Sequence, residues 1–165
     1  MNYQLKSISG AGIGEALKKA ERYRLLNEPR LAESICSDIL ALEPDNHSAI
    51  VTMLLSVTDQ FGTTSASAGK ARKLLPLLTG DYERAYYSGI ICERQGISVL
   101  NMGTTGTQFT AYEFLVEAME CYEKAEAIRP EGNDDAILRW NTCARLIMSH
   151  NLHAREESRV ELPLE

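Results

Sequence analysis

The feature that most constrains this chain is the spacing of its apolar residues. From about residue 13 to residue 150 they return at three- and four-residue steps, the stripe of an amphipathic helix. Ala16, Leu17, Ala20, Tyr23 and Leu26 make the first stripe, and Ala32, Ile35, Cys36, Ile39 and Leu40 the second. A third run, from about residue 46 to 60, is apolar on most sides (Ile50, Val51, Met53, Leu54, Leu55, Val57), the pattern of a helix covered on most sides. A fourth helix spans about 66–78, with Pro76 distorting its last turn. The fifth starts near Asp81, holds Ala85, Tyr86, Ile90, Ile91 and Cys92, and continues toward Leu100. The sixth, about 110–128, carries Phe114, Leu115, Ala118, Met119, Tyr122 and Ala125; the seventh, about 134–150, carries Ile137, Trp140, Ala144, Ile147 and Met148.

Turn chemistry separates these stripes. Pro29 suits the first position of a helix, whereas Pro44 and Pro130 lie just past helix ends. Asn133 reads as a cap, and Asp134 and Asp135 suit the positive end of the last helix. Gly62 to Ser65 and Gly103 to Thr107 read as flexible loops. Residues 1–12 form an N-terminal segment in which Tyr3, Leu5 and Ile8 pack loosely or stay mobile, and 151–165 form a charged tail without a fixed structure of its own.

A chain of 165 residues is long enough for one domain with a sizeable core. Its formal charge of -6, without a basic stripe, excludes general nucleic-acid binding, which depends on neutralising phosphates. No run approaches the roughly 20 apolar residues of a membrane span, and the N-terminus has no apolar signal core. The expectation is a soluble cytoplasmic protein with no membrane partner. Cys36, Cys92, Cys121 and Cys143 lie inside apolar stripes without a CxxC motif, so they read as reduced core thiols.

Two segments repeat one another. Both Ala32 to Pro44 and Ala118 to Pro130 begin with a small residue, place core residues four and seven positions later, and end in a proline twelve positions later. On these residues the chain resembles the tetratricopeptide repeat family, whose units are antiparallel helix pairs of about 34 residues. Tyr23 and Ala32 occupy signature places in the first unit; Gly89, Ala118, Tyr122, Ala125 and Pro130 do so in the last. Pro44 and Pro130 are 86 residues apart. Two periods account for roughly 68 of these, and the remaining ~18 match an insertion at about 97–113. The resemblance implies an all-α, right-handed solenoid of about three helix pairs over residues 13–150, with the middle pair degenerate and the seventh helix as a cap.

Catalytic signals are weak by comparison. Gly10, Gly12 and Gly14 lack the flanking strands a dinucleotide loop needs. His150 and His153 have no third ligand in view, so no metal and no cofactor is expected. Serine, histidine and aspartate occur without a nucleophile elbow. Asp135 and Arg139 stand at i,i+4 and read as a surface pair, Trp140 reads as a core plug, and His47 as a solvated turn residue.

The family resemblance implies a concave groove lined by the first helix of each pair. By repeat alignment it would use Leu17, Glu21 and Arg24, then Val51, Thr52 and Leu55, then Tyr86, Ile90 and Glu93, and from the capping helix Ile137, Asn141 and Arg145. An apolar and aromatic centre with polar ends suits a partner's helix or extended peptide. It does not match the lysine- and asparagine-rich clamp with which some relatives hold a C-terminal carboxylate. The expected function is a protein-interaction scaffold, not an enzyme. The alternative is a homodimer or larger homo-oligomer joined through the apolar third helix and the Tyr86–Tyr87 pair. An enzyme with an unfamiliar groove site comes third.

Overall fold

A computed structural model describes residues 3–63 and 67–156. These form seven α-helices and no strand: α1 (Ile13–Leu25), α2 (Pro29–Leu42), α3 (His47–Thr58), α4 (Ser67–Leu74), α5 (Asp81–Met102), α6 (Thr107–Ala127) and α7 (Asp135–Ser149). The helix boundaries follow from local chemistry. Pro29 opens α2, and the Asn46 side chain caps α3 by accepting from the Ala49 amide at 3.0 Å. Pro76 ends the fourth helix as expected, because the chain tightens into a 3-10 turn at Leu75–Leu77.

Each helix packs on its sequence neighbour, with the most extensive contact between α5 and α6; α1 also touches α3, and α3 touches α5. Two cores result. The first gathers Ala20, Ala32, Cys36, Ile50, Met53, Leu54, Val57, Ala71 and Leu78, and reaches α5 at Ile91. The second gathers Ile90, Cys92, Leu115, Ala118, Tyr122, Ala136 and Cys143. Ile90 and Ile91 therefore face different cores, and α5 is the wall between them. Leu55 and Tyr87 touch both. α3 is buried along most of its length, at Ala49, Ile50, Thr52, Met53, Leu54, Ser56, Val57 and Thr58.

The segment read as an insertion is mostly helix. α5 continues to Met102 and α6 begins at Thr107, so residues 97–102 and 107–113 lengthen both arms of one hairpin. Only 103–106 turn. Gly103 and Gly106 sit there at φ 62° and 88°, a left-handed conformation that glycine adopts at little cost. Gly96 lies inside α5 and is buried against α6.

Among the described residues before α1, Ile8 packs beside Ile13 and Ile39, while Tyr3 and Leu5 are exposed. Beyond α7 the first tail residues dock. Leu152 is buried in the second core, the His153 ring meets Phe109 edge-on at 5.5 Å, and the Arg155 guanidinium lies over the Phe109 ring. The rest of the tail, including the valine and leucines at 160–164, lies outside the described residues. Among the described residues no helix is long and apolar enough to cross a membrane.

Candidate functional site

The residues aligned to a groove fall into three groups. Glu21 and Arg145 are exposed. Leu17, Arg24, Val51, Leu55, Tyr86, Ile137 and Asn141 are half-buried. Thr52, Ile90 and Glu93 are buried, and each has an internal occupation. The Thr52 carbonyl accepts the Ser56 hydroxyl at 2.7 Å, Ile90 belongs to the second core, and Glu93 is the centre of a buried polar cluster.

That cluster ties three helices together. The Tyr122 hydroxyl on α6 donates to Glu93 Oε2 at 2.5 Å, and the Arg139 guanidinium on α7 donates to Glu93 Oε1 at 3.0 Å. Glu93, on α5, is only 2 % exposed, so both carboxylate oxygens depend on protein donors. Burial pushes the Tyr122 hydroxyl far above its ordinary value, and Glu93 adds to the shift, so it remains a donor. Burial lowers the Arg139 value, but Glu93, Tyr86 and Tyr122 outweigh it and hold the guanidinium charged. Arg139 thus pairs across the fold to Glu93, correcting the local pairing with Asp135 that the i,i+4 spacing implied.

A second ionic contact joins α1, α3 and α5. Asp59, just after α3, accepts from Arg24 Nε at 2.6 Å and pairs with Arg94 at 3.4 Å. Through these two clusters α1, α3, α5 and α7 are connected in order by side-chain charges. Tyr82, Tyr86 and Tyr122 add an aromatic run, with Tyr82 stacked on Tyr86 at 5.9 Å and Tyr86 tilted against Tyr122 at 5.9 Å.

Other sequence candidates have structural surroundings of their own. Trp140 is half-buried and packs against the second core, and its indole N–H donates to Glu123 at 3.0 Å. His47 is exposed and sits 2.8 Å from a Glu83 oxygen. Asn133 accepts from the Asp135 amide at 3.0 Å. Cys36, Cys92 and Cys143 are buried and Cys121 is half-buried, all without disulfides. Among the described residues no group of three or more His, Cys, Asp or Glu side chains is placed to hold a metal ion. A cavity of about 330 Å³ lies between the segment after α3 and α5; its described lining, Phe61, Gly62, Thr63, Ala68, Gln95, Ser98, Val99 and Met102, carries no titratable side chain.

The polar cluster escaped sequence reasoning. Its only signals were Tyr122 and Gly89, which the repeat alignment already named, and the charged pair Glu93–Arg94 on a largely apolar helix. No family model matches the chain, and no curated protein or solved structure matches it.

Proposed function

We propose that the chain is a protein-interaction module, built as tetratricopeptide-like helix pairs, that holds a partner's helix or extended peptide along α1, α3, α5 and α7. The observation that carries this reading is the chain of charge contacts from Arg24 through Asp59 to Arg94, and from Glu93 to Arg139. It links the first helix of each proposed pair to the next, as a shared binding face requires. The direct contacts of α1 with α3 and of α3 with α5 agree with it.

The half-buried candidates support the same reading. Leu17, Val51, Leu55, Tyr86 and Ile137 are partly held by the fold and partly open. Side chains fixed in this way lose little freedom when a partner covers them. Self-assembly through the apolar α3 and the Tyr86–Tyr87 pair is the weaker reading, because α3 is mostly covered within the chain and both tyrosines pack against the second core.

Affinity purification from the native host tests the proposal. Wild-type chain should recover one stoichiometric protein. A Tyr86→Ala, Arg145→Glu variant that keeps wild-type helicity should lose it, since an aromatic anchor contributes about 2 kcal/mol, or roughly thirtyfold in affinity. Recovery of nothing by wild-type chain, or undiminished recovery by the folded variant, would sink the idea. Light scattering over a range of concentrations separates the alternative, for which the mass must grow with concentration.

A further inference from the structure

Asp59, at the end of α3, stands between guanidinium groups from two other helices. Arg24 of α1 donates from Nε to Asp59 Oδ2 at 2.6 Å, and Arg94 Nη1 of α5 lies 3.4 Å from Oδ1. The second distance is longer than an ordinary N–H···O hydrogen bond, so charge alone holds Arg94. Among the described residues every other ion-paired carboxylate has one basic partner, and Asp59 alone has two. Two arginines against one aspartate leave this cluster locally positive, in a chain whose formal charge is -6.

Most of the donor capacity there is unspent. A guanidinium has several N–H donors, and Arg24 spends only its Nε. The Nη groups of Arg24 and Arg94 hydrogen-bond to nothing among the described residues and are open to solvent, whereas Arg94 Nε is buried without a partner. The two side chains are 26% and 31% exposed, so each is braced by the fold and still reachable. An apolar surface adjoins them. Leu55 precedes Asp59 by one helical turn on the same side of α3 and is half-buried where both cores meet. Tyr87 precedes Arg94 by two turns on α5 and is half-buried at the same junction. One turn of four residues is about 6 Å of helix. A peptide that meets both surfaces must space its anionic and apolar groups alike, which residues i and i+4 of a helix or i and i+2 of an extended strand do.

We infer that the partner's segment carries an aspartate or glutamate that docks against Arg24 and Arg94, with an aliphatic or aromatic residue two or four positions away seated on Leu55 and Tyr87. The incoming carboxylate accepts from the open Nη groups and balances two acids against two arginines. A side-chain carboxylate is sufficient, and no free chain end is needed. The inference rests on the reading of α1, α3, α5 and α7 as a binding face and adds the chemistry that this face selects.

A phage-displayed library of random peptides tests it, with each peptide fused at its C-terminus so that only side chains supply carboxylates. Selection on the wild-type chain should enrich Asp or Glu two or four positions from an aliphatic or aromatic residue. Arg24→Gln and Arg94→Gln each leave Asp59 one arginine and should keep wild-type helicity. Selection on either should retain the apolar residue and lose the acid preference. In a selected peptide, exchange of the acid for its amide should weaken binding to wild type about tenfold, the scale of one hydrogen bond to a charged group, and binding to either variant far less. Should one variant lose helicity, the other variant and the peptide exchange decide. Apolar peptides without an acid preference, enrichment of Lys or Arg instead, or an equal acid preference in wild type and folded variants would overturn the inference and leave the binding face standing. No peptide above background on the wild-type chain would overturn both.

Discussion

Around α3 the buried polar groups are satisfied mostly close to home, whereas around α5–α7 the buried carboxylate is satisfied across the fold. Ser56 donates to the Thr52 carbonyl at 2.7 Å, Thr58 to the Leu55 carbonyl at 2.8 Å, and Gln60 to the Ser56 carbonyl at 3.1 Å. Each of these bonds stays within one turn of its own residue; the exception is the second Gln60 bond, which reaches Glu33 on α2 at 2.5 Å. In the other half, Glu93 draws on Tyr122 and Arg139, which are 29 and 46 residues away along the chain. The apolar packing differs in the same sense. The first core is largely aliphatic, while the second adds buried Tyr122, more tyrosines and glycine notches. Local bonds form with the helix and say little about which helix packs where. Long-range bonds to a buried carboxylate are made only when α5, α6 and α7 are correctly placed, so the second half is the more exacting.

The largest effect should come from breaking the long-range cluster. Arg139→Met keeps much of the side-chain volume but leaves Glu93 buried with one donor fewer, and should cost about 3–5 kcal/mol in denaturant unfolding. A loss below about 1 kcal/mol, the scale of an exposed ion pair, would mean that Glu93 does not depend on Arg139. Next comes Gly89→Ala. The added methyl must displace the Tyr122 ring and so disturb its bond to Glu93, at about 1–3 kcal/mol. An unchanged midpoint would show that α5 and α6 can separate without penalty. Ser56→Ala, on the local side of the comparison, should cost no more than about 1 kcal/mol, because the backbone acceptor lies within the same helix. A cost matching Arg139→Met would erase the distinction between the halves.

The smallest effect is a pH dependence on the α2–α4 side. Burial raises the Glu33 carboxyl, but Lys70 and Gln60 outweigh it and hold it below the ordinary carboxylate value. A carboxyl depressed in the folded state contributes stability above its unfolded pKa and loses it as pH falls through the folded value. The melting temperature of Lys70→Met should therefore fall less steeply than that of wild type between about pH 5 and about pH 3. Parallel curves would remove Glu33 as the source of that slope.

The helices were legible in the sequence because their ends carry local chemistry. Pro29, Asn46, Pro76 and Pro130 act on backbone within a turn of themselves, so residue order alone places them. The α5–α6 hairpin was misread where that logic weakens. Glycine and threonine have low helix propensity, and their density near residue 105 suggested a loop over 103–107 and a sixth helix from about 110, yet α6 begins at Thr107 and leaves a turn of only 103–106. Gly96, inside α5, is a packing notch against Leu115 and Ala111. The repeat alignment reached Tyr86, Leu55 and Ile137, which stay partly open, but also Ile90 and Glu93, which do not. Helical spacing fixes which residues share a stripe; it does not say whether the stripe faces a groove or a neighbouring helix. The Glu93 cluster and the docking of Leu152 depend on residues far apart in sequence, and no local pattern announces either.

Amide hydrogen exchange of the chain with and without its captured partner tests the central claim most directly. Binding along the proposed face should add protection in segments of α1, α3, α5 and α7 together, with α2 and α6 little changed. Protection confined to α2 and α6, or to the tail after α7, would contradict the account.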